Sequence, residues 1–162
     1  MASGKSVVGE LLAQQLNYQF VDTDQWIEAR FCKTISQIFL DEGEDSFRAK
    51  EKECLDFLLD KEHLVIASGG GTPCFHQAMG LMNEFSQTVY LKANIQTLAT
   101  RLWDEKSVRP KLNSCQSREQ LMDFISEHLP KREVVYEQCK HIVYVDYQSV
   151  EMIVEEIKNV LV

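Results

Sequence analysis

Gly4-Lys5-Ser6-Val7-Val8-Gly9-Glu10-Leu11-Leu12-Ala13 stands almost at the start of the 162-residue chain, and its reading decides the fold. Gly4-Lys5-Ser6 is the closing half of the pattern GxxxxGK[ST]. In that pattern backbone N–H groups of a Gly-rich loop wrap phosphates, the lysine reaches the terminal ones, and the hydroxyl sits on Mg²⁺. Val8, Leu11, Leu12 and Leu16 then recur at helical spacing, so the stretch from about Lys5 to Leu16 reads as a helix whose N-terminus holds the loop. The opening glycine of the full pattern would fall before Met1.

Outward from this helix, strands and helices alternate. Tyr18 to Val21 reads as a short buried strand ending on Asp22-Thr23-Asp24, and Leu64 to Ala67 as a second, stopped by Gly69-Gly70-Gly71. Thr88 to Leu91 and Ile142 to Val145 are rich in β-branched and aromatic residues and give two more. Phe47, Cys54, Leu55 and Leu58 line one helix between strands, and Ile95, Leu98, Ala99 and Leu102 another. Ser117 with Gln120 resembles a capping box, and Ser149 is placed to cap a last helix through Leu161. Such alternation predicts an α/β fold with a parallel sheet covered on both faces and ligands at the carboxyl ends of its strands. The Asp22-Thr23-Asp24 and Gly69-Gly70-Gly71 segments fall on that rim. Residues 104–117 lack either period, carry Lys106, Arg109, Pro110 and Lys111, and read as a lid.

Composition narrows the class. The length suits one domain spanning 1–162, and the net charge of −8 with no basic run argues against nucleic acid as a partner. Five scattered cysteines without a CxxC pair suit free thiols in a reducing compartment, and no apolar run is long enough to span a bilayer, so the reading is of a cytoplasmic protein. Each polar motif also has a plain reading. Asp22 and Asp24 are ordinary turn residues by type, Arg132 has Glu133 and Glu137 beside it, and Arg48 sits among Lys50, Glu51, Lys52 and Glu53, which are expected on a solvated helix face.

Taken in order, Gly4-Lys5-Ser6, Asp22-Thr23-Asp24, Phe47-Arg48, Gly69-Gly70-Gly71, Arg109-Pro110 and Arg132 with Tyr136 resemble the motif order of the shikimate kinases over essentially the whole chain. Thr34-Ile35, Ile38-Phe39 and Gly43-Glu44 fit the same pattern. The resemblance implies a three-layer α/β/α fold of the P-loop kinase type, with acceptor-binding helices over about 24–60. The implied reaction is transfer of the terminal phosphoryl group of ATP to the 3-hydroxyl of shikimate, in the chorismate branch of aromatic amino-acid biosynthesis. ATP, shikimate and Mg²⁺ are the implied ligands, and a monomer the implied state.

The resemblance assigns roles residue by residue. Lys5 would neutralise the β- and γ-phosphates within a nucleotide loop of Ala2, Ser3, Gly4, Lys5, Ser6 and Val7, with Arg101 beside adenine. Ser6 would ligate Mg²⁺ directly and Asp22 through water. Asp24 would bond the reacting hydroxyl, Arg48 and Arg132 would clamp the carboxylate, Gly69, Gly70 and Gly71 would admit the ring closely, and Arg109 would close over the γ-phosphate. Three residues depart from the pattern: Ala2 stands for a usual glycine, Val7 for a usual hydroxyl, and Lys111 interrupts the common Arg-Pro-Leu-Leu. The family fold has a strand before the phosphate loop in the sheet interior, so the natural chain is expected to continue upstream by about a dozen residues. The rival functions are a kinase of the same type with a gluconate-like acceptor and a truncated, non-catalytic relative that binds ligand without turnover.

Overall fold

The computed structural model describes residues 2–104 and 117–161. Among them the chain runs α1 (Lys5–Leu16), β1 (Gln19–Asp22), α2 (Thr23–Phe31), α3 (Ile35–Leu58), β2 (Leu64–Ala67), a 3₁₀ turn (Thr72–Cys74), α4 (Ala78–Phe85), β3 (Val89–Lys92), α5 (Ile95–Asp104), α6 (Arg118–Tyr136), β4 (His141–Tyr144) and α7 (Val150–Leu161). The alternation read from periodicity is therefore the alternation observed, with strand limits displaced by a residue. Ser117 caps α6 by accepting the Gln120 N–H, and Ser149 accepts the Met152 N–H at the start of α7.

All strand pairing is parallel. Gln19↔Leu64 through Asp22↔Ala67 sets the register of β1 on β2, and Val89↔His141 through Lys92↔Tyr144 that of β3 on β4. The expected central sheet takes the form of two ribbons, and among the described residues no strand hydrogen bonds join β2 to β3. Interior strands of parallel sheets are normally buried on both faces, yet Leu64, Val65 and Ile66 of β2 and all four residues of β3 are only half-buried. What holds the halves together is helix packing. Val8 and Leu12 of α1 share one apolar cluster with Leu98 and Leu102 of α5, Leu121 and Ile125 of α6, Val143 of β4, and Ile153, Val154 and Ile157 of α7. Val65 from one ribbon and Val89 and Leu91 from the other pack against that same cluster.

A second cluster, with Ile27, Ile38, Phe47, Cys54 and Leu58, seats α2 and α3 on the β1–β2 ribbon. α3 starts in a reciprocal capping box of Thr34 with Gln37 and breaks its helical course at Gly43, where φ is 83° and ψ 177°. After the break, Phe47, Glu51, Cys54, Leu55 and Leu58 succeed one another on one side of the helix, and all are buried. Arg48 is buried beside them.

Candidate active site

The parallel pairing of β1 with β2 brings their last residues, Asp22 and Ala67, side by side, so the Asp22-Thr23-Asp24 segment and the glycine triplet meet at one rim. At the phosphate-loop end, Gly4 takes the left-handed conformation (φ 90°) as N-cap of α1 and its carbonyl accepts the Val8 N–H at 2.9 Å. Ala2 is also left-handed (φ 48°), a conformation its Cβ resists. Alanine thus stands, where the resemblance expects glycine, at a position whose backbone favours glycine. Arg101 of α5 donates from Nη1 to the carbonyls of Ser3 (3.2 Å) and Ala2 (3.5 Å), bracing the loop from behind. Val7, 59% exposed, turns its side chain to solvent.

Asp22 ties this end to the next. Its Oδ1 caps α2, accepting the N–H of Asp24 at 3.0 Å and of Gln25 at 3.5 Å, while its Oδ2 accepts the Ser6 hydroxyl at 2.8 Å and lies 3.7 Å from Lys5 Nζ. Thr23, buried, accepts the Gly69 N–H on Oγ1 at 2.8 Å. Asp24 comes third: Oδ1 stands 3.0 Å from where a Cβ on Gly69 would be. Burial pushes the Asp24 carboxyl above its ordinary range against the pull of Lys5, and the charges of Asp22, Glu51 and Glu28 add to the rise.

Arg48 is not on a solvated helix face. Nη1 meets Glu51 Oε2 at 2.5 Å, Nη2 meets Glu44 Oε1 at 2.7 Å, and the guanidinium lies 4.0 Å from the centre of the Phe75 ring. Its Nε is buried without a hydrogen-bond partner among the described residues. Lys52 and Glu53 are exposed as expected, and Lys50 is half-buried on Glu42 and Ser46. Glu51 corrects the expectation: it is 4% exposed, and its Oε1 accepts the Thr72 hydroxyl at 2.6 Å. The reason is helical phase, because Glu51 comes four residues after Phe47 and precedes Cys54 and Leu55, all on the inward face. That spacing was the signal available for Glu51. Thr23 and Thr72 have no such signal, since their partners are distant in sequence.

The glycine triplet is held by its carbonyls. Gly69 O accepts from Thr72 N and Gly71 O from Cys74 N, while Gly70 O accepts the Tyr136 hydroxyl and, at 3.5 Å, Arg132 Nη1. A Cβ on Gly71 would stand 2.6 Å from Arg48 Nη1, so a side chain there would displace the guanidinium. Arg48 and Arg132 therefore approach the triplet at different residues. Glu133 and Glu137 engage Lys92, at 3.4 and 2.6 Å, whereas Arg132 turns to Gly70. Arg109, Pro110 and Lys111, expected on the lid, lie outside the described residues.

Ser6 and Asp22 are hard oxygen donors 2.8 Å apart at the N-terminus of the phosphate helix. Such a pair suits Mg²⁺, which takes one or two protein oxygens and keeps several waters or phosphate oxygens. Four cysteines are free among the described residues, and no helix there is long and apolar enough to cross a membrane.

Comparisons with known proteins agree with the fold. The shikimate kinase family model matches residues 1–162. A shikimate kinase of Azobacteroides pseudotrichonymphae is 40% identical over 158 residues, covering 97% of this chain and 92% of its own, and one of Phocaeicola vulgatus is 42% identical over 146 residues, covering 90% and 83%. Among solved structures, the shikimate kinase of Bacteroides thetaiotaomicron superposes with a TM-score of 0.93 at 36% identity, over 99% of this chain and 93% of its own. That of Acinetobacter baumannii in complex with shikimate gives 0.85 at 27% identity, over 99% and 88%.

Proposed function

The chain belongs to the shikimate kinase family, and on that premise we propose that it transfers the terminal phosphoryl group of ATP to the 3-hydroxyl of shikimate through the residues gathered on this rim. One observation carries the reading. Three consecutive residues join a nucleotide end to an acceptor end: Asp22 reaches Ser6 and Lys5, Thr23 holds Gly69, and Asp24 lies, like Glu51, against the open side of Gly69. A phosphate loop without an acceptor site would need no such coupling.

Lys5, paired with Asp22 in the free protein, would turn to the β- and γ-phosphates, where its charge offsets theirs. Ser6 would hold Mg²⁺ directly and Asp22 through its waters; when bound, the ion supplies positive charge to the transferring phosphoryl group. Phosphoryl transfer has a loose transition state with little covalent chemistry left to the protein, so Asp24 acts chiefly by accepting a hydrogen bond from the attacking hydroxyl and aiming it. Arg48 and Arg132 would receive the acceptor carboxylate. Glu44 is half-exposed and can yield its place on Arg48 to the ligand, whereas buried Glu51 stays and keeps the guanidinium in plane. Arg101, which donates to the loop carbonyls of Ala2 and Ser3, would lie beside adenine.

A coupled assay for ADP release with Mg-ATP tests this. Shikimate-dependent release with none from gluconate is the expected result. Release dependent on gluconate, or shikimate binding by calorimetry without turnover, would replace it with one of the rival readings.

A further inference from the structure

We infer that Tyr136 is a positioning residue for the acceptor, acting by locking the peptide unit between Gly70 and Gly71; the inference rests on the acceptor site proposed above. Its hydroxyl donates to the Gly70 carbonyl from a helix 66 residues away in sequence. A trans peptide is planar, with its C=O and N–H pointing in opposite directions. Drawing the Gly70 carbonyl towards α6 therefore turns the Gly71 N–H away from α6. Gly71 itself lies against Arg48, since a Cβ there would fall 2.6 Å from Nη1. The Gly71 N–H has no hydrogen-bond partner among the described residues, so the lock leaves an oriented backbone donor beside the guanidinium that faces the carboxylate.

Such a lock is needed because the unit joins two glycines. Without side chains on either flank, neither steric contact nor rotamer preference opposes rotation of the plane. The neighbouring peptides are restrained locally, Gly69 O by Thr72 N and Gly71 O by Cys74 N. The plane between Gly70 and Gly71 depends on donors from α6, and the Tyr136 contact is closer than the 3.5 Å one from Arg132.

Tyr136 is itself braced. Its ring packs on Tyr90 with centroids 5.1 Å apart, the Tyr90 hydroxyl donates to Glu133 at 3.0 Å, and Lys92 engages Glu133 and Glu137. Burial pushes the Tyr136 phenol above its ordinary range, so it remains a neutral donor throughout the physiological range. A residue that only filled space would need the ring and not the hydroxyl.

Tyr136→Phe separates these roles. With wild type first shown to phosphorylate shikimate, the variant is expected to raise the KM for shikimate about fivefold, as loss of one neutral hydrogen bond allows. The KM for ATP should stay within about twofold. In the ligand-free protein the amide resonance of Gly71 should shift, a readout independent of activity. Unchanged kinetics with an unmoved Gly71 amide, or equal rises in both KM values, overturn the inference while leaving the activity intact. An inactive wild type would fail the proposed function instead, and the Gly71 amide would still report on the lock. If Tyr136→Phe does not fold, Glu133→Gln slackens the brace through Tyr90 and is expected to give the same split at about twofold; equal changes in both KM values there overturn the inference.

Discussion

Asp24 shows how the site sets stability against function at a single carboxyl. Burial raises its folded pKa above the ordinary 3.8, so the protonated form is the one the fold favours. Its contribution to stability is therefore present below the ordinary value and lost as pH rises through the folded value, so that at neutral pH the ionised group opposes folding. Asp24→Asn is expected to raise the thermal unfolding midpoint at pH 7, with the advantage fading below about pH 4, while turnover falls about a hundredfold through lost aiming of the hydroxyl. Midpoints measured across that pH range check the sign. Glu51 poses the reverse case. Removing it in Glu51→Ala leaves Arg48 buried with only half-exposed Glu44 as an ionic partner, and urea unfolding should show a loss of about 3 kcal/mol. Glu51→Gln, which can still accept the Thr72 hydroxyl, should lose less. Asp24's surroundings could not be read from its neighbours in the chain, whereas those of Glu51 were signalled by helical spacing. Charged flanks suggested a solvated face at 50–53, and only the helical phase set by Phe47, Cys54 and Leu55 turns Glu51 inward.

At the scale of elements, the break at Gly43 gives α3 two jobs. Its first half starts from the capping box at Thr34, and its second half points Arg48 and Glu51 at the rim. Gly43 has open space around its Cβ position, so any cost of a side chain there comes from the backbone at φ 83° and not from packing. Gly80, inside α4, also has open space but ordinary helical geometry. The same substitution should thus have opposite signs: Gly43→Ala is expected to lower stability by about 1–2 kcal/mol and Gly80→Ala to raise it by about 0.5–1 kcal/mol. Denaturant midpoints of the two variants decide it. Much of this level was legible beforehand. The phosphate helix, the four strands and the caps at Ser117 and Ser149 stand where periodicity and cap chemistry put them, because those signals are local.

For the whole molecule, an acidic chain with a net charge of −8 must bind anions with a few well-placed cations. The two ends of the site use separate ones, Lys5 for the nucleotide and Arg48 with Arg132 for the acceptor. Lys5→Ala should therefore abolish the rise in unfolding temperature produced by Mg-ATP, which reflects a stabilisation of about 2.7 kcal/mol when ATP stands at a hundred times its Kd, and keep the rise produced by shikimate. Loss of both rises would mean the ends are not separable. By itself the sequence determined the alternating α/β plan, the phosphate-loop helix, the family resemblance and the residue types on the rim, because periodicity, capping and motif spacing are short-range properties of the chain. The tertiary structure alone decided which strands pair among the described residues, that Thr23 holds Gly69, and that Arg132 and Tyr136 meet at Gly70. The side-chain pairings join groups such as Thr23 with Gly69 and Gly70 with Tyr136, 46 and 66 residues apart. No local pattern encodes such partners; they are chosen by which helix faces the core buries.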